Sequence, residues 1–397
     1  MKLNDKVVAI PPAASILINQ IVYDKRQLGE KVYTYSLGEA FFEIPRFDIT
    51  DEEFILGYHY SSSLGQLLLR KKIAELYQKY YQVGVDADSE VLISAGSKVI
   101  IYMLLMTIIN PGDEVLVSEP SWLSYKEQIS LANGVYVGIP FAENINQWEK
   151  YITDKTRIIV INNPNNPSGY LYSESELSFL LNLAKKYNLI ILSDEAYSDF
   201  LLKDDKFISI LNLDKHKEHS MVVNSLSKNM GMSGWRVGYA IANKIIISQL
   251  LKLNQHLITC APTLLQNYLA KNFDSILDHT IPQARQMAEK RKQVQLLINE
   301  HKLNVLPGIG TFYFMIDVSK FPGSTDELVL ELLFNHNIAT VSGSAYGIST
   351  SDFIRFGIGV ENLNDINKSL SVISSYLRLD KYDNKALRKQ LTQSSNK

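Results

Sequence analysis

The segment NSLSKNMGMSGWRVGY, residues 224–239, carries the strongest indication of fold and chemistry in the chain. Lys228 lies in it among small hydroxyl and glycine residues, with Ser225 three positions before it and Arg236 eight positions after it. An amine that attacks a carbonyl needs a narrow polar approach, and an organic phosphate beside it needs hydroxyls and a forked cation. The segment could equally be a solvated loop, so its interpretation depends on the rest of the chain.

Short apolar runs on both sides of this segment belong to a pattern that repeats along the chain. Such runs alternate with amphipathic stretches such as 174–187, which has helical periodicity. Strands that are apolar throughout and separated by helices are typical of a parallel sheet covered on both faces. The strand-like runs are 90–93, 114–118, 157–161, 189–193, 221–223 and 237–240. The sequence therefore predicts an α/β fold with a large, mostly parallel sheet and helices on both faces.

The pattern changes in the last third of the chain, where a polar helix predicted over 282–301 precedes further strands. A chain of 397 residues exceeds the size at which a single core usually stops growing, about 250–300 residues. We predict a large domain over 50–285 and a smaller α+β domain formed by 1–49 and 286–397. The smaller domain includes an N-terminal arm and a polar C-terminal tail over 381–397, which we expect to be frayed.

Composition excludes several classes of protein. Hydrophobic residues make up 46% of the chain and charged residues 21%, as in folded globular proteins. The formal net charge of −2 gives no field that favours nucleic acid or an acidic membrane. Cys260 is the single cysteine, which excludes an internal disulfide and a cysteine-based metal cluster. The charged run 214–219 has histidines at metal-like spacing but is interpreted as a solvated loop. The longest apolar run, 99–109, is too short to span a bilayer, and we expect a cytoplasmic enzyme without a secretory leader.

Polar residues follow several predicted strands at their carboxyl ends, which is where open α/β sheets bind ligands. Gly96, Ser97 and Lys98 open a helix after one strand, so the backbone amides and the helix dipole there favour a phosphate. Asp194 ends an apolar strand, and a buried carboxylate needs a cationic or donor partner. That partner could be an arginine, a helix amide or a protonated ring nitrogen of a ligand. Tyr197 is close enough to reach the same ligand.

Three further candidates are rigid or planar side chains next to predicted strands. Asn166 lies in the turn NNPNNPSG, residues 162–169, whose prolines and glycine hold it rigid with its amide free for a ligand oxygen. Trp122 is either a core residue or an aromatic that stacks on a cofactor ring. Arg355 is a charge within an apolar strand over 353–357, and is either exposed at a sheet edge or bound to a carboxylate.

Together these motifs resemble the fold-type I, pyridoxal-phosphate (PLP) dependent aminotransferases of class I and II. The resemblance extends over about residues 30–380 and depends on the whole set occurring in the family's order and spacing. The set consists of the lysine segment, the Asn-Pro turn, Asp194 with Tyr197, and Arg355. The resemblance implies the PLP transferase fold, PLP as cofactor, and a homodimer.

The resemblance also implies a role for each candidate residue. Lys228 would hold PLP as a Schiff base and later move the Cα proton, while Asp194 would keep the pyridine nitrogen protonated so that the ring accepts electrons. The other residues would bind cofactor or substrate. Asn166 and Tyr197 would bond the ring O3′, Trp122 would stack on the ring, and Gly96, Ser97, Lys98, Ser225, Ser227 and Arg236 would hold the phosphate. Arg355 would bind the substrate carboxylate with Gly38 and Asn166, and Tyr60 would reach the phosphate in the neighbouring subunit.

Amino-group transfer between an L-amino acid and a 2-oxo acid is the leading interpretation. The alternative is a PLP-dependent lyase (β-elimination or carbon–sulfur cleavage) or a cyclising enzyme of specialised amino-acid metabolism, because both begin with the same Cα deprotonation. A ligand-sensing regulatory protein is disfavoured, since about 30 residues before the family-like region are too few for a DNA-binding domain. The sequence leaves open which amino acid and 2-oxo acid react.

Overall fold

The computed structural model describes residues 2–385 and residue 387, which form an α/β protein. The strands are Tyr33–Thr34 (β1), Val91–Ser94 (β2), Glu114–Ser118 (β3), Val135–Ile139 (β4), Thr156–Asn162 (β5), Ile190–Asp194 (β6), Ser220–Ser225 (β7), Gly238–Ile241 (β8), Tyr313–Asp317 (β9), Ile338–Ala339 (β10), Val341–Ser342 (β11) and Phe353–Gly357 (β12). The helices are Asp5–Ala9 (α1), Ala14–Gln27 (α2), Asp51–Leu56 (α3), Leu67–Tyr81 (α4), Ser97–Ile108 (α5), Ser124–Leu131 (α6), Glu174–Tyr187 (α7), Leu226–Asn229 (α8), Lys244–Leu257 (α9), Thr263–Glu300 (α10), Thr325–His336 (α11) and Leu363–Tyr376 (α12). Within the described residues, none of these helices is both long and apolar enough to cross a bilayer.

In the described part of the chain, the largest sheet has seven strands in the order β2-β8-β7-β6-β5-β3-β4. Neighbouring strands are parallel from β7 to β4, whereas β8 pairs antiparallel with both β2 and β7. Successive residues of the central strands point to opposite faces: Ile159 and Ile191 belong to one apolar cluster, and Ile158 and Leu192 to another. Both faces are therefore buried, and the predicted fold class is confirmed.

Helix ends in this part of the chain follow local sequence rules. Ser173 accepts from the amide of Glu176 at the start of α7, and the Glu176 carboxylate accepts in return from the amide of Ser173. This reciprocal capping box satisfies two amides that have no partner within the helix. Asn188 ends the same helix with a left-handed backbone, φ 52°, a conformation that asparagine tolerates better than most residues.

A further apolar cluster joins the two ends of the chain. It contains Val22 and Tyr35 from the N-terminal part together with Phe314, Ile354 and Ile366 from the C-terminal part. The strands that belong to this region form an antiparallel sheet β11-β12-β9 and a parallel pair β1-β10. This arrangement is compatible with the predicted smaller domain. The boundaries at 49/50 and 285/286 stay a prediction.

Helix α10 differs from its predicted extent. The sequence predicts a start at Pro282, yet the helix starts at Thr263 and runs through Pro282 without interruption. Proline is common at the first position of a helix and so predicts a start, but it also occurs inside helices at the loss of one hydrogen bond. The earlier turns form because Phe273 and Ile276 are buried in a core cluster of the large sheet.

The described part of the predicted C-terminal tail is ordered by contacts with the smaller region. The ring of Tyr382 lies 4.8 Å from that of Phe321, and its hydroxyl donates to Glu331 at 2.8 Å. Leu387 is buried. The expectation of a frayed tail is therefore wrong for these residues, because a few large side chains in a polar stretch find partners. Residues 386 and 388–397 of the predicted tail lie outside the described residues.

Candidate active site

A cavity of about 500 Å³ lies at the carboxyl ends of the parallel strands and collects most of the predicted site residues. Those that line it are Gly38, Ser97, Lys98, Trp122, Asn166, Asp194, Tyr197, Ser225, Ser227, Lys228, Arg236 and Arg355. The cavity is also lined by Ser15, Leu123, Ser233 and Tyr313, which the sequence analysis does not single out. Residues far apart in the chain thus meet because β5, β6 and β7 end at the same edge of the sheet.

Lys228 lies in the short helix α8 directly after β7, and its amine points back across the cavity. The hydroxyl of Ser225 caps this helix by accepting from the amide of Ser227 at 3.1 Å, which fixes the turn that presents the lysine. The Lys228 Nζ donates to the carbonyl of Gly38. Burial lowers the pKa of Lys228 to about 8, with help from Arg355 and against the opposing charge of Glu39. A lowered pKa increases the unprotonated fraction of the amine, which is the form that attacks carbonyls.

Asp194 is a buried acid that no described ion pair satisfies. Tyr125 donates to its Oδ2 at 2.7 Å, and the amide of Ala196 donates to its Oδ1 at 3.3 Å. Burial raises the pKa of Asp194 to about 6, whereas the Tyr125 hydroxyl and the Ala196 amide act in the opposite direction. A carboxylate in such a place gains from a cationic partner supplied by a ligand, such as a protonated ring nitrogen.

Tyr197 lies between two polar neighbours at the bottom of the cavity. The Asn166 amide donates to the Tyr197 hydroxyl at 3.1 Å, and the hydroxyl of Tyr313 is 3.3 Å away on the other side. The backbone amide of Asn166 donates to the side-chain oxygen of Asn162 at 2.6 Å, a bond within the turn that restrains the position of Asn166. The side-chain oxygen of Asn166 is buried and has no partner among the described residues, so a ligand donor could satisfy it.

Arg355 is buried in the cavity wall, and the alternative of exposure at a sheet edge is excluded. It is 3% exposed on β12, the middle strand of its sheet. Its guanidinium carbon lies 4.6 Å from the ring centre of Tyr313 and 5.1 Å from that of Tyr346. Nη2 donates to the carbonyl of Ser36 at 2.6 Å, while Nε has no partner within the described part of the chain. This leaves donors of a planar fork available to a carboxylate.

The residues predicted to bind phosphate form a cradle at the start of α5. Gly96 precedes the helix with φ 90°, and a Cβ there would overlap the guanidinium of Arg236. Gly238 similarly allows close approach, because a Cβ there would overlap the backbone amide of Ser97. Arg236 is held by bonds to the carbonyl of Ser233 at 2.9 Å and to the hydroxyl of Ser227 at 3.4 Å. Backbone amides, hydroxyls and a guanidinium thus lie together at this end of the cavity, and an anion site is built from such groups.

Lys98 adds a second cation beside this cradle. Its Nζ lies 5.0 Å from the ring centre of Trp122. Burial lowers the pKa of Lys98, and the neighbouring charge of Arg236 lowers it further. Trp122 is half-buried, lines the cavity and makes an edge contact with Tyr125 at 5.2 Å. It is therefore available to a ligand, unlike a tryptophan enclosed in the core.

Tyr60 is the predicted site residue that lies away from the cavity. Its side chain is 86% exposed and does not line the cavity. It stands near in sequence to other exposed apolar residues, at Ile55, Leu56 and Tyr58. The single chain does not bring Tyr60 to the phosphate cradle, so its predicted role depends on a second subunit.

Tyr125 and Tyr313 are the most important residues that the sequence analysis missed. Tyr125 could have been found, because it follows Trp122 by three residues and a helical turn brings such residues to one face. Tyr313 lies in the apolar run 312–316, where nothing distinguishes it from a core aromatic.

Comparisons with known proteins identify the family of the chain. The model of the aminotransferase class I and II family matches residues 57–367. The aspartate aminotransferase of Bacillus sp. (strain YM-2) is 30% identical over 95% of this chain and 99% of that protein. The aromatic-amino-acid aminotransferase 2 of Thermococcus litoralis is 29% identical over 89% of this chain and 93% of that protein.

A solved structure gives the same result. The aspartate aminotransferase of Thermotoga maritima superimposes with a TM-score of 0.83 at 27% identity, covering 95% of this chain and all of that one. The chain belongs to the class I and II aminotransferase family. It is an aminotransferase of a family that depends on PLP, which confirms the leading interpretation; the lyase and cyclising alternatives are not favoured.

Proposed function

We propose that this chain holds PLP in the cavity and transfers an amino group from an L-amino acid to a 2-oxo acid. The observation that carries the proposal is the convergence of three buried or half-buried groups in one cavity. Lys228 is an amine with a lowered pKa; among the described residues, Asp194 has no ion pair and the Arg355 guanidinium has a donor without a partner. Transamination needs one group of each kind.

The residues present fit PLP. The cradle of Gly96, Ser97, Ser225, Ser227 and Arg236 would take the phosphate, and Asp194 would take the ring nitrogen. The side-chain NH2 of Asn166 and the hydroxyl of Tyr197, which lie 3.1 Å apart, would both donate to the ring O3′. When bound, PLP supplies an aldehyde and a protonated ring that withdraws the electron pair left at the substrate Cα. Trp122 would cover one face of that ring.

The chain's own side chains would then bind, orient and move a proton. Arg355 would bind the α-carboxylate through its free donor, with Gly38 and Asn166 beside it. The Lys228 amine would hold the cofactor aldehyde and, in its free form, would take the proton from the substrate Cα and deliver it to the cofactor's C4′. The nearly neutral pKa of this amine suits both directions of transfer.

We propose an acidic amino acid as the preferred substrate. Relatives are named both for aspartate and for aromatic amino acids, so the family alone does not decide. Arg236 and Lys98 lie side by side with no ion pair between them and any described acid, and Ser15 adds a hydroxyl to the cavity wall. Arg236 lies in the cradle, which leaves the Lys98 ammonium available to a second carboxylate as well as to the phosphate.

We further propose that the protein is a cytoplasmic homodimer in which Tyr60 reaches the phosphate cradle of the other subunit. The exposure of several large apolar side chains close to Tyr60 in sequence supports this, because exposed apolar surface is typical of interaction sites. Light scattering after size-exclusion chromatography tests the dimer. If the dimer forms, Tyr60→Phe should weaken cofactor binding without changing the mass of the particle.

The central experiment is covalent trapping of the cofactor. Purified protein incubated with PLP should be yellow, and borohydride reduction followed by peptide mapping should place the adduct on Lys228. Lys228→Ala should lose the adduct, while the exposed Lys252→Ala should keep it. An adduct that persists in Lys228→Ala would refute the assignment.

The reaction itself is tested by its products. Amino acid should be consumed only when a 2-oxo acid is present, with one new amino acid formed for each one lost. Release of ammonia and pyruvate without an acceptor would instead support the lyase alternative.

A further inference from the structure

Arg291 is a buried cation that lies outside the cavity and has no part in the chemistry described above. It is on α10 and is 4% exposed. Burial alone lowers its pKa to about 9, and no charged neighbour contributes. The guanidinium is therefore still protonated near neutral pH, and no described acid forms an ion pair with it. Such a charge is tolerated only when its donors are well satisfied, so its hydrogen bonds indicate its role.

Among the described residues, the acceptors of Arg291 are three backbone carbonyls on two segments that are far apart in the chain. Nη1 donates to the carbonyl of Tyr313 on β9. Nη2 donates to the carbonyls of Gly308 at 3.0 Å and Ser168 at 3.4 Å. The guanidinium carbon lies 4.0 Å from the ring centre of Phe314, which holds the plane of the fork. A planar group with several fixed donors can bridge three carbonyls, whereas a lysine ammonium cannot reproduce that geometry.

Glycines allow these segments to meet. A Cβ at Gly169 would lie 2.8 Å from Nη2 of Arg291, and a Cβ at Gly308 would overlap the backbone of the Asn-Pro turn. The amides of Ile309 and Gly310 donate to the carbonyl of Gly169 at 2.9 and 2.8 Å. The turn over 162–169 and the loop before β9 therefore form one unit around the guanidinium.

Two of the bridged carbonyls belong to segments that carry cavity residues on either side of Tyr197. Ser168 follows Asn166, whose amide donates to the Tyr197 hydroxyl at 3.1 Å. The hydroxyl of Tyr313 lies 3.3 Å from the same oxygen. We propose that Arg291 is a positioning residue that holds the backbone at Ser168 and Tyr313 and so fixes Asn166 and Tyr313 around Tyr197. This inference depends on the proposed function, in which Asn166 and Tyr197 contact the ring O3′ of PLP.

Two variants of Arg291 separate the effect of its planar donor group from the effects of its charge and of its side-chain volume. Arg291→Lys keeps the charge, and Arg291→Met keeps much of the volume without any donor. Lys292→Met, at the neighbouring exposed position of the same helix, is the matched control. We expect Arg291→Lys to fold and bind PLP but to lose about tenfold to a hundredfold in kcat/KM, because small misplacement of reacting groups has effects of that size.

Two readouts separate positioning from general stability. The pH titration of the cofactor absorbance in Arg291→Lys should shift without substrate, because Asn166 and Tyr197 contact the ring oxygen that sets this titration. In cofactor-free Arg291→Lys, hydrogen exchange should rise in peptides covering 162–170 and 306–315, while the rest of the large sheet stays protected. Lys292→Met should show neither change.

The outcomes are distinct from those of the proposed function. Absence of a trapped cofactor in the unaltered protein would refute the proposed function. A trapped cofactor in the unaltered protein, together with an Arg291→Lys variant whose titration and kcat/KM are unchanged, would refute only the positioning role. Unfolding of both Arg291 variants, or a loss in kcat/KM with an unchanged titration, would also overturn it in favour of a purely structural role.

Discussion

Removing one hydroxyl, in Tyr125→Phe, should change how tightly the protein holds PLP and how that affinity depends on pH. The hydroxyl donates to Asp194 at 2.7 Å, and both residues are buried. A hydrogen bond to a charged group contributes about 1.5–3 kcal/mol, which corresponds to about 1–2 pKa units. The pKa of Asp194 should therefore rise from about 6 to about 7–8 in the variant.

The consequence for the cofactor follows from the charge of Asp194. At pH 7 the acid is mostly ionised in the unaltered protein but half or more protonated in the variant, so it cannot pair with a protonated ring nitrogen. PLP affinity should fall by up to about tenfold at pH 7 and recover towards pH 9, where the acid is ionised again. Equilibrium dialysis of PLP at several pH values measures the ratio of dissociation constants of the two proteins.

Tyr172→Phe is the matched control, because its hydroxyl is buried in the same way but donates to the neutral Ser118 at 3.1 Å. It should leave PLP affinity unchanged at every pH. A ratio for Tyr125→Phe that does not vary with pH would refute the reasoning, since a general loss of structure would weaken binding equally at every pH.

Protein stability gives a second check on the pKa of Asp194. The pKa of Asp194 is raised on folding, so ionisation lowers stability as pH rises from about 4 to about 6, and the variant should extend that decline to about 8.

Three further predictions concern single side chains. Arg355→Lys should lower kcat/KM for amino acids by about a hundredfold, because it loses a bidentate carboxylate contact of about 3 kcal/mol, while PLP affinity stays within a factor of about two; equal losses in both would indicate a structural role. Lys98→Met should lower kcat/KM for aspartate more than for phenylalanine, by about tenfold in the ratio, and an unchanged ratio would contradict the acidic-substrate proposal. Glu195→Gln should flatten the fall of stability with pH: burial raises the pKa of Glu195 to about 8, so the folded state keeps a proton that the unfolded state loses above pH about 4.5. Thermal unfolding from pH 5 to 9 measures this, and curves of equal slope for the two proteins would contradict it.

Much of the fold could be predicted because the strands that build it are apolar along their whole length. The runs at 157–161 and 189–193 have polar residues only at their ends. An apolar side chain at every inner position is typical of a strand that is buried on both faces. The same pattern placed Asp194 and Asn166 at one edge of the sheet, so the bottom of the cavity followed from the topology rule for parallel strands.

Contacts between distant segments could not be predicted in the same way. The partners of Arg291 are backbone carbonyls, which have no sequence signature, and Ser168 is 123 positions away.

The run 214–219 is a comparable case, because its expected solvation is wrong for two of its residues. Asp214 accepts from the amide of His219 at 2.8 Å and from Ser220 at 2.8 Å, and Lys217 is 2% exposed and pairs with Glu90 at 2.9 Å. The charged side chains of Asp214 and Lys217 thus have partners inside the fold, and the charged composition of the run does not predict which groups these are.

The 38-residue helix α10 connects two of the core clusters of the protein. At 1.5 Å per residue it is about 57 Å long, with Phe273 embedded in the large-sheet core and Val294 in the core shared by the chain ends. Pro282 removes one rung of hydrogen bonds between these two anchor points, so bending there costs least. If the part of α10 after Pro282 tilts, Arg291 moves with it, because this residue lies nine positions beyond the proline. The spacing of the groups around Tyr197 then changes as well. The length of α10 thus links the packing of the large-sheet core to the backbone positions around Tyr197.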